Sequence, residues 1–268
     1  MASDIVVTRG GGDIGSGVIQ KLYRAGFRVL VLELECPLMI RRAVSFAQAV
    51  IDGETVIEGI RAVKAESIEA VRNIWQQGNI PVMIDPEGIM ATELCPLAVV
   101  DVTLAKRNTG MHRAMAPITV ALGPGFSAGE DVDVVVETNR GHNLGRLIFD
   151  GSAEPDTGIP SPLDGCGAER VLRAPCDGRV RHVLDIGAHV RKGETVCYTD
   201  GEPLSAPLNG VIRGLVMNGR TVTRGSKIGD IDPRDREDYC FTISDKARAI
   251  GGAVLEAILY LKRVKGLP

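Results

Sequence analysis

The first 150 residues alternate between short apolar runs and longer stretches with a helical period. The apolar runs are rich in Val, Ile and Leu, which is typical of strands buried on both faces of a parallel sheet. This alternation predicts an α/β fold with a Rossmann-like, doubly wound, mostly parallel sheet. The predicted strands are 4–9, 28–34, 55–63, 80–84, 97–104, 118–122 and 132–137, and the predicted helices are 13–26, 38–51 and 66–78.

The pattern changes after residue 150. Residues 151–168 are rich in Gly, Pro, Ser and Asp and show no period, which is typical of a linker. Residues 169–232 contain an internal repeat with an offset of 32 residues, in which Lys192 corresponds to Arg224. Each copy predicts two short β segments joined by a glycine turn, too small to bury an apolar face alone. The matched pairs are Ala174/Ala206, Pro175/Pro207, Gly178/Gly210, Gly187/Gly219, Val190/Val222 and Gly193/Gly225.

Each copy reads A-P-x-x-G-x-[VI] followed by G-x-x-V-x-[KR]-G, which resembles the small all-β barrel-sandwich domains of biotinyl and lipoyl carriers. Those carriers present a modifiable lysine at the hairpin between the halves, whereas residues 198–203 contain none. A docking role is therefore predicted for this domain. Residues 233–268 are predicted to form a C-terminal helix that packs back on the α/β domain, because they carry one apolar stripe. The predicted domains are 1–150, a linker at 151–168, 169–232 and 233–268.

A G-x-G-x-x-G pattern follows the first predicted strand and opens the first predicted helix. In this setting the glycines allow a tight turn and close approach of a pyrophosphate, which binds the free N–H groups at the helix start. The next predicted strand leads to two acids at the spacing that suits a ribose diol. The alternative to a phosphate-binding loop is a glycine-rich turn that binds nothing. For Asp13, the alternative to a ligand-binding role is capping of the helix. The first group of predicted cofactor-binding residues is Gly10, Gly11, Gly12, Asp13, Ile14, Gly15, Glu33 and Glu35.

Polar, glycine-rich segments follow three further predicted strands. Because the carboxyl ends of parallel strands meet at one edge of a sheet, these segments predict an anion-binding crevice beside the glycine loop. Solvated turns are the alternative. Lys106 and His142 are the candidate catalytic groups, and a structural role is the alternative for the histidine. The second group of predicted cofactor-binding residues is Arg107, Asn108, Gly123, Gly125 and Arg140.

The composition argues against several classes of partner. The chain has 268 residues, 44% hydrophobic content and a formal net charge of −3, which gives no support for nucleic acid or an anionic membrane as partner. The start shows no basic-then-apolar leader, and the longest apolar candidate, 250–261, is too short to span a bilayer, so a cytoplasmic location is expected. The six cysteines and four histidines lack zinc or disulfide spacing, so no metal is expected.

Several motifs, taken in order, resemble the YqeB-type family of selenium-dependent molybdenum hydroxylase accessory proteins over nearly the whole chain. The resemblance implies a cytoplasmic protein that serves the maturation of molybdenum-dependent hydroxylases, such as xanthine dehydrogenase-like enzymes. It also implies such a hydroxylase as the protein partner. The motifs lie at 10–17 (GGGDIGSG), 23–27 (YRAGF), 37–46 (PLMIRRAVSF), 106–110 (KRNTG), 122–126 (LGPGF), 136–146 (VETNRGHNLGR), 213–215 (RGL) and 227–234 (KIGDIDPR).

Three functions are compatible with these patterns. The first is a maturation factor whose crevice holds a nucleotide-bearing ligand, with molybdopterin dinucleotide as one candidate, while the repeat domain docks the client enzyme. The second is an NAD-dependent oxidoreductase, supported by the glycine loop and Glu33 but lacking an identifiable hydride-transfer residue. The third is a scaffold without a ligand. The sequence leaves open the choice between NAD and molybdopterin dinucleotide, the existence of a catalysed reaction and a homo-oligomeric state.

Overall fold

A computed structural model of the protein describes residues 4–158 and 162–268, so the middle of the predicted linker, 159–161, lies outside the described residues. Contacts divide the chain into two compact units. The α/β unit comprises the described residues of 1–37, 45–157 and 243–268. The β unit comprises those of 38–44 and 158–242. Residues 38–44 thus belong to the β unit, although the sequence pattern predicted a helix over 38–51 in the α/β domain.

The α/β unit contains nine strands in one mixed sheet, with the order β3-β4-β5-β2-β1-β6-β7-β8-β9. All neighbouring pairs from β4 to β8 in this order are parallel, and the edge strands β3 and β9 are antiparallel to their neighbours. The strands are β1 (Ile5–Arg9), β2 (Arg28–Glu33), β3 (Glu54–Ile57), β4 (Ile60–Ala65), β5 (Ile80–Ile84), β6 (Ala98–Asp101), β7 (Ile118–Leu122), β8 (Val134–Val136) and β9 (Leu147–Ile148). The helices are α1 (Asp13–Arg24), α2 (Ala49–Asp52), α3 (Ile68–Gln76), α4 (Met90–Glu93) and α5 (Asp245–Val264).

The prediction of a Rossmann-like, doubly wound sheet was wrong. Double winding needs a helix between successive parallel strands. The connection from β5 to β6 carries only the four-residue α4, and the connection from β6 to β7 carries a 3₁₀ turn at Arg113–Met115. The described connection from β7 to β8 has no helix. Glycine and proline punctuate both later connections, which prevents an amphipathic helix from forming there. The predicted helix over 38–51 is likewise replaced by two 3₁₀ turns and α2.

The apolar runs that predicted the central strands are buried on both faces of the sheet. Every residue of β1, β6, β7 and β8 is buried. One face packs against α1, α2 and α5, and the other packs against α3 and α4. Burial on both faces explains why these strands read as unbroken Val and Ile runs rather than as alternating ones.

Glycines allow α1 and α5 to cross at very short range. A Cβ atom at Gly17 would collide with the backbone carbonyl of Ala247, and one at Gly251 would collide with the carbonyl of Gly17 and touch the side chain of Lys21. The contact advances by one turn on both helices together, from Gly17 with Ala247 to Lys21 with Gly251. The two helices therefore run in the same direction, and their N-termini lie at the same end of the crossing.

The β unit consists of two four-stranded antiparallel sheets, with the orders β10-β17-β15-β12 and β14-β13-β11-β16. Strands β11 and β15, and strands β12 and β16, begin 32 residues apart, as the sequence repeat does. Each sheet therefore contains strands from both copies, so that neither copy completes a sheet alone. The strands are β10 (Val171–Arg173), β11 (Gly178–His182), β12 (His189–Val190), β13 (Thr195–Thr199), β14 (Glu202–Ser205), β15 (Gly210–Leu215), β16 (Thr221–Val222) and β17 (Lys227–Asp232).

The prediction of a biotinyl- or lipoyl-like barrel-sandwich for this region was also wrong. The described strands form two separate antiparallel sheets, each ending in a two-residue edge strand, β12 or β16. The repeat motif reports glycine turns and apolar positions, which many small β structures share. It therefore could not specify how the two sheets close.

Residues 38–44 are held in the β unit by arginine side chains. Arg41 donates hydrogen bonds to the carbonyl oxygens of Tyr239 (2.9 Å) and Thr242 (3.1 Å). Arg42 donates to the carbonyl of Leu215 (2.8 Å) and pairs with Asp185 (2.6 Å). These contacts explain why the motif at 37–46 contains two adjacent arginines, Arg41 and Arg42, and why this segment belongs to the β unit.

The helix crossing leads to a stability prediction. Gly251→Ala should lower the free energy of unfolding by about 1–3 kcal/mol, because the methyl group has no room against the backbone of α1. Gly252→Ala is the matched control, since a Cβ there meets nothing within 4 Å. It should raise stability by about 0.5–1 kcal/mol through helix propensity alone. Urea unfolding of the two variants measures both values, and equal stabilities would show that the crossing is not sterically tight.

Candidate functional site

The glycine loop joins β1 to α1 at the carboxyl edge of the sheet. Gly10 has a φ of +93°, in the region that favours glycine, and its N–H donates to the carbonyl of Leu32 (2.8 Å). Gly12 is the N-cap of α1, with extended dihedrals (φ −68°, ψ −174°), and a Cβ built on it meets nothing within 4 Å. The position that a side chain would take at the N-cap is therefore open, next to the first turn of α1, where backbone N–H groups attract anions.

Two other glycines of the loop are needed for packing. A Cβ at Gly15 would press against the side chain of Val102, and one at Gly11 would lie 3.0 Å from the backbone nitrogen of Ala47. Ser16 fixes this arrangement, because its hydroxyl accepts from the N–H of Phe46 (2.8 Å) and donates to the carbonyl of Gly11 (3.1 Å). Of the predicted loop residues, Gly12 thus borders open space, whereas Gly11 and Gly15 support the turn.

Four strands that point at this edge end in, or are followed directly by, an acid whose carboxylate binds backbone N–H groups. Most of these N–H groups belong to the loop that follows the same strand, so each carboxylate shapes its own loop. The pairs are Glu33 with the N–H groups of Leu34 (2.9 Å) and Gly11 (2.8 Å), Asp85 with those of Gly88 (2.9 Å) and Met90 (2.8 Å), Asp101 with that of Thr103 (3.0 Å), and Glu137 with those of Asn139 (2.6 Å) and Glu154 (2.8 Å).

Glu33 is the predicted ribose-binding acid. Burial raises the pKa of its carboxyl group, and the N–H groups of Leu34 and Gly11 act in the opposite direction. Each carboxylate oxygen accepts one backbone N–H and keeps a lone pair for a further donor such as a ligand hydroxyl. Glu35, the other predicted acid, is exposed.

The strand order reverses between β1 and β6, because the chain proceeds from β1 to β2 on one side and from β6 to β7 on the other. Arg9 and Asp101 are the last residues of these two strands and are 9% and 0% exposed. Arg9 Nη1 lies 3.5 Å from Asp101 Oδ2, and neither atom has a hydrogen-bond partner among the described residues. Burial raises the pKa of the Asp101 carboxyl group, and the bonds from Thr103 and the charge of Arg9 oppose it.

The loops after β6 and β7 pack against each other. A Cβ at Gly125 would collide with the carbonyl of Ala105, so glycine is required for this contact, and Gly123 has a φ of +82° beside Thr138. Asn108 organises its own loop, since its side chain binds backbone groups of Gly110 (2.9 Å) and Met111 (2.8 Å).

The two predicted cations after β6, Lys106 and Arg107, are exposed. Lys106 pairs with Asp156 (2.7 Å). Arg107 is a neighbour of Gly125, because its backbone nitrogen would lie 2.7 Å from a Cβ there.

The loop after β8 contains Arg140 and His142. Arg140 forms two hydrogen bonds with the carboxylate of Asp245, the first residue of α5 (2.7 and 3.0 Å). Glu154 holds the loop from the other side through the amides of Asn139 (2.6 Å) and Asn143 (3.2 Å). His142 is exposed. The predicted basic residue Arg140 is therefore bound to the end of a helix rather than displayed alone.

The sequence analysis missed Lys246, in the first turn of α5. This lysine is half-buried, and burial together with the nearby charge of Arg140 lowers the pKa of its amino group. The charges of Asp13, Glu137 and Asp156 act in the opposite direction. Its neighbours show that the N-terminus of α5 lies at the same edge as the glycine loop. No local motif marks this lysine, because only the helix crossing brings it there.

This edge of the sheet can bind an anion through N–H groups and cations, and hydroxyl groups through carboxylates. Among residues 4–158 and 162–268, no group of three or more His, Cys, Asp or Glu side chains could hold a metal ion. Of the described helices, none is long and apolar enough to cross a membrane.

The lowered pKa of Lys246 can be measured directly. After reductive methylation with ¹³C-formaldehyde, its NMR signal should titrate at a lower pH than those of the exposed lysines. Removal of the Asp13 charge in Asp13→Asn should lower this midpoint further, and Arg140→Gln should raise it, because the two charges act on the ammonium with opposite signs. The Lys246→Arg variant assigns the signal. A midpoint in the range of the exposed lysines would contradict this description of the site.

The chain is 49% identical over 257 residues to a protein of Escherichia coli strain K12 named "Uncharacterized protein YqeB". The match covers 96% of this chain and 48% of that protein, so the chain spans about half the length of its relative. The chain is therefore a homologue of YqeB. No protein-family model matches the chain.

Solved structures give only distant likenesses. An aspartoacylase family protein from Mesorhizobium loti matches at 11% identity with a TM-score of 0.28, covering 86% of this chain and 85% of that one. The apo ectoine utilization protein EutE (DoeB) from Ruegeria pomeroyi matches at 13% identity with a TM-score of 0.25, covering 84% and 85%. A succinylglutamate desuccinylase/aspartoacylase from Rhodobacter sphaeroides matches at 14% identity with a TM-score of 0.22, covering 86% and 53%. TM-scores below 0.5 carry no weight for the chemistry of this site.

Proposed function

We propose that this YqeB homologue is an accessory protein for the maturation of molybdenum hydroxylases. In this proposal it binds a nucleotide-bearing ligand at the carboxyl edge of the nine-stranded sheet. The β unit docks the client enzyme. The geometry of the site supports ligand binding, and the motif resemblance together with the relationship to YqeB supports the maturation role.

The observation that carries the proposal is the coincidence of the open glycine loop with the reversal of strand order. Ligands of open α/β sheets bind outside the carboxyl ends of the strands, where the order reverses. Here β1 lies at the reversal and leads directly into the loop at Gly10–Gly12. Arg9 and Asp101, at the ends of β1 and β6, lie at the same reversal, and this buried ion pair has incomplete hydrogen bonding.

Different residues of the site bind the phosphate and the ribose of the ligand. The first turn of α1 binds phosphate oxygens, because backbone N–H groups at a helix start attract anions and the Cβ position of the N-cap Gly12 is open. Glu33 accepts hydrogen bonds from ribose hydroxyls, since each of its oxygens retains a lone pair. Arg107, exposed beside Gly125, supplies positive charge at the rim.

The β unit offers a surface for docking. A groove in this unit is lined in part by Arg179, Arg181, Tyr198 and Asn218. The guanidinium of Arg181 stacks on the Tyr198 ring, 4.7 Å from its centroid. Arginine and tyrosine are enriched where proteins bind proteins, which supports a docking role for this groove.

Replacement of Gly12 tests ligand binding. Gly12→Val should abolish nucleotide binding, because the side chain fills the space in front of α1, while the thermal unfolding midpoint stays near that of the wild type. Its backbone dihedrals suit any residue, and a Cβ there contacts nothing within 4 Å. Calorimetry with NAD, NADP, CDP and CTP, and with any nucleotide that copurifies, measures the affinity.

Gly252→Ala serves as the matched control, since it adds a methyl group at a glycine with equally open surroundings on α5. It should bind as the wild type does. Equal affinity of Gly12→Val and wild type would refute the proposed position of the ligand, and no binding of any nucleotide by the wild type would refute the ligand itself. NAD reduction coupled to substrate oxidation would favour the oxidoreductase alternative.

A further inference from the structure

The N-termini of two helices face the candidate site together. Helices α1 and α5 run in the same direction and cross at Gly17 and Gly251. The first residues of the two helices, Asp13 and Asp245, therefore lie at the same end of the crossing. Each helix start carries partial positive charge, so the two reinforce each other at one place.

Lys246 adds a full positive charge to this place. The charged groups that act on its ammonium are Asp13 on α1, Glu137 and Arg140 after β8, and Asp156 beyond β9. Arg140 is bound to Asp245, and Asp156 to Lys106. The ammonium of Lys246 has no hydrogen bond or direct ion pair with any residue that the structure describes, and only the more distant charges act on it.

The ammonium of a half-buried lysine is costly to hold without a close partner. A second place at the same edge holds charges with incomplete hydrogen bonding. Arg9 Nη1 and Asp101 Oδ2 form a buried ion pair at the strand reversal (3.5 Å), but neither atom has a hydrogen-bond partner among the described residues. Thr103, which binds Asp101, is a neighbour of Gly10, since a Cβ there would lie 3.2 Å from its methyl group. Charged groups with incomplete hydrogen bonding thus lie near the glycine loop, both at the strand reversal and at the start of α5.

We propose that Lys246 is a ligand-binding residue whose ammonium pairs with a phosphate oxygen of the nucleotide held in front of α1. This inference rests on the proposed function and specifies its chemistry: the ligand carries a phosphate or pyrophosphate group at the end next to α5. The charges of Asp13 and Glu137 favour the protonated form of the amine, and the phosphate provides the close partner. The C-terminal helix therefore contributes to the site and does not only cover the sheet.

Substitution of Lys246 tests the pairing. Lys246→Gln should weaken the binding of the nucleotide that wild type binds most tightly among NAD, NADP, CDP and CTP by about tenfold or more, since hydrogen bonds to charged groups contribute about 1.5–3 kcal/mol. Lys246→Arg should recover part of the loss. The control is Lys262→Gln, in the last turn of the same helix. Circular dichroism confirms that each variant is folded.

Binding that Lys246→Gln leaves unchanged would overturn the role of Lys246 and leave the nucleotide site standing. Failure of the wild type to bind any nucleotide would overturn both. A second readout identifies the contact: pyridoxal 5′-phosphate forms an imine with a lysine amine beside a phosphate site, with loss of water, and borohydride reduces it to a stable amine. Mass spectrometry should find this label on Lys246 and find less of it when the bound nucleotide is present. A label elsewhere, or one that the nucleotide does not reduce, would count against the contact.

Discussion

The close crossing of α1 and α5 is the constraint on which the candidate site depends. Glycine at positions 17 and 251 lets the two backbones touch, and the contact fixes the helices side by side in the same direction. This places Lys246 near Asp13, although 232 intervening residues separate them in the sequence. It also places Asp245 where it binds Arg140 and holds the loop after β8. A looser crossing would separate the groups that we assign to one ligand.

The carboxyl edge of the sheet carries four acids, and their hydrogen bonds explain how an anion can still bind there. The carboxylates of Glu33, Asp85, Asp101 and Glu137 each accept hydrogen bonds from backbone N–H groups, which offset part of their negative charge and fix the loops. The positive groups come from elsewhere in the chain, above all from α1, α5 and Arg107. Loops tied down in this way lose little conformational entropy when a ligand binds, which favours a preformed site.

The sequence predicted part of this arrangement. Apolar runs predicted the central strands, because strands buried on both faces consist mostly of apolar residues. The glycine pattern predicted the start of α1. The sheet class was wrong, since the short α4 between β5 and β6 and the missing α-helices between β6 and β8 change the winding without changing the strand pattern. Residues 38–44 belong to the β unit, and Lys246 lies near the glycine loop, because of contacts between residues far apart in sequence. The periodicity of a local segment cannot predict such contacts. Conversely, the glycine at 125 was predicted to admit a ligand, whereas it admits the neighbouring loop.

The central claim is that nucleotide phosphates bind in front of α1, within reach of α5. A crystal structure with the tightest-binding of the four nucleotides tests it most directly. Phosphate oxygens should lie within hydrogen-bond distance of backbone N–H groups in the first turn of α1 and of Lys246 Nζ. A nucleotide bound with its phosphates away from this turn, or a protein that takes up none of the four, would contradict it.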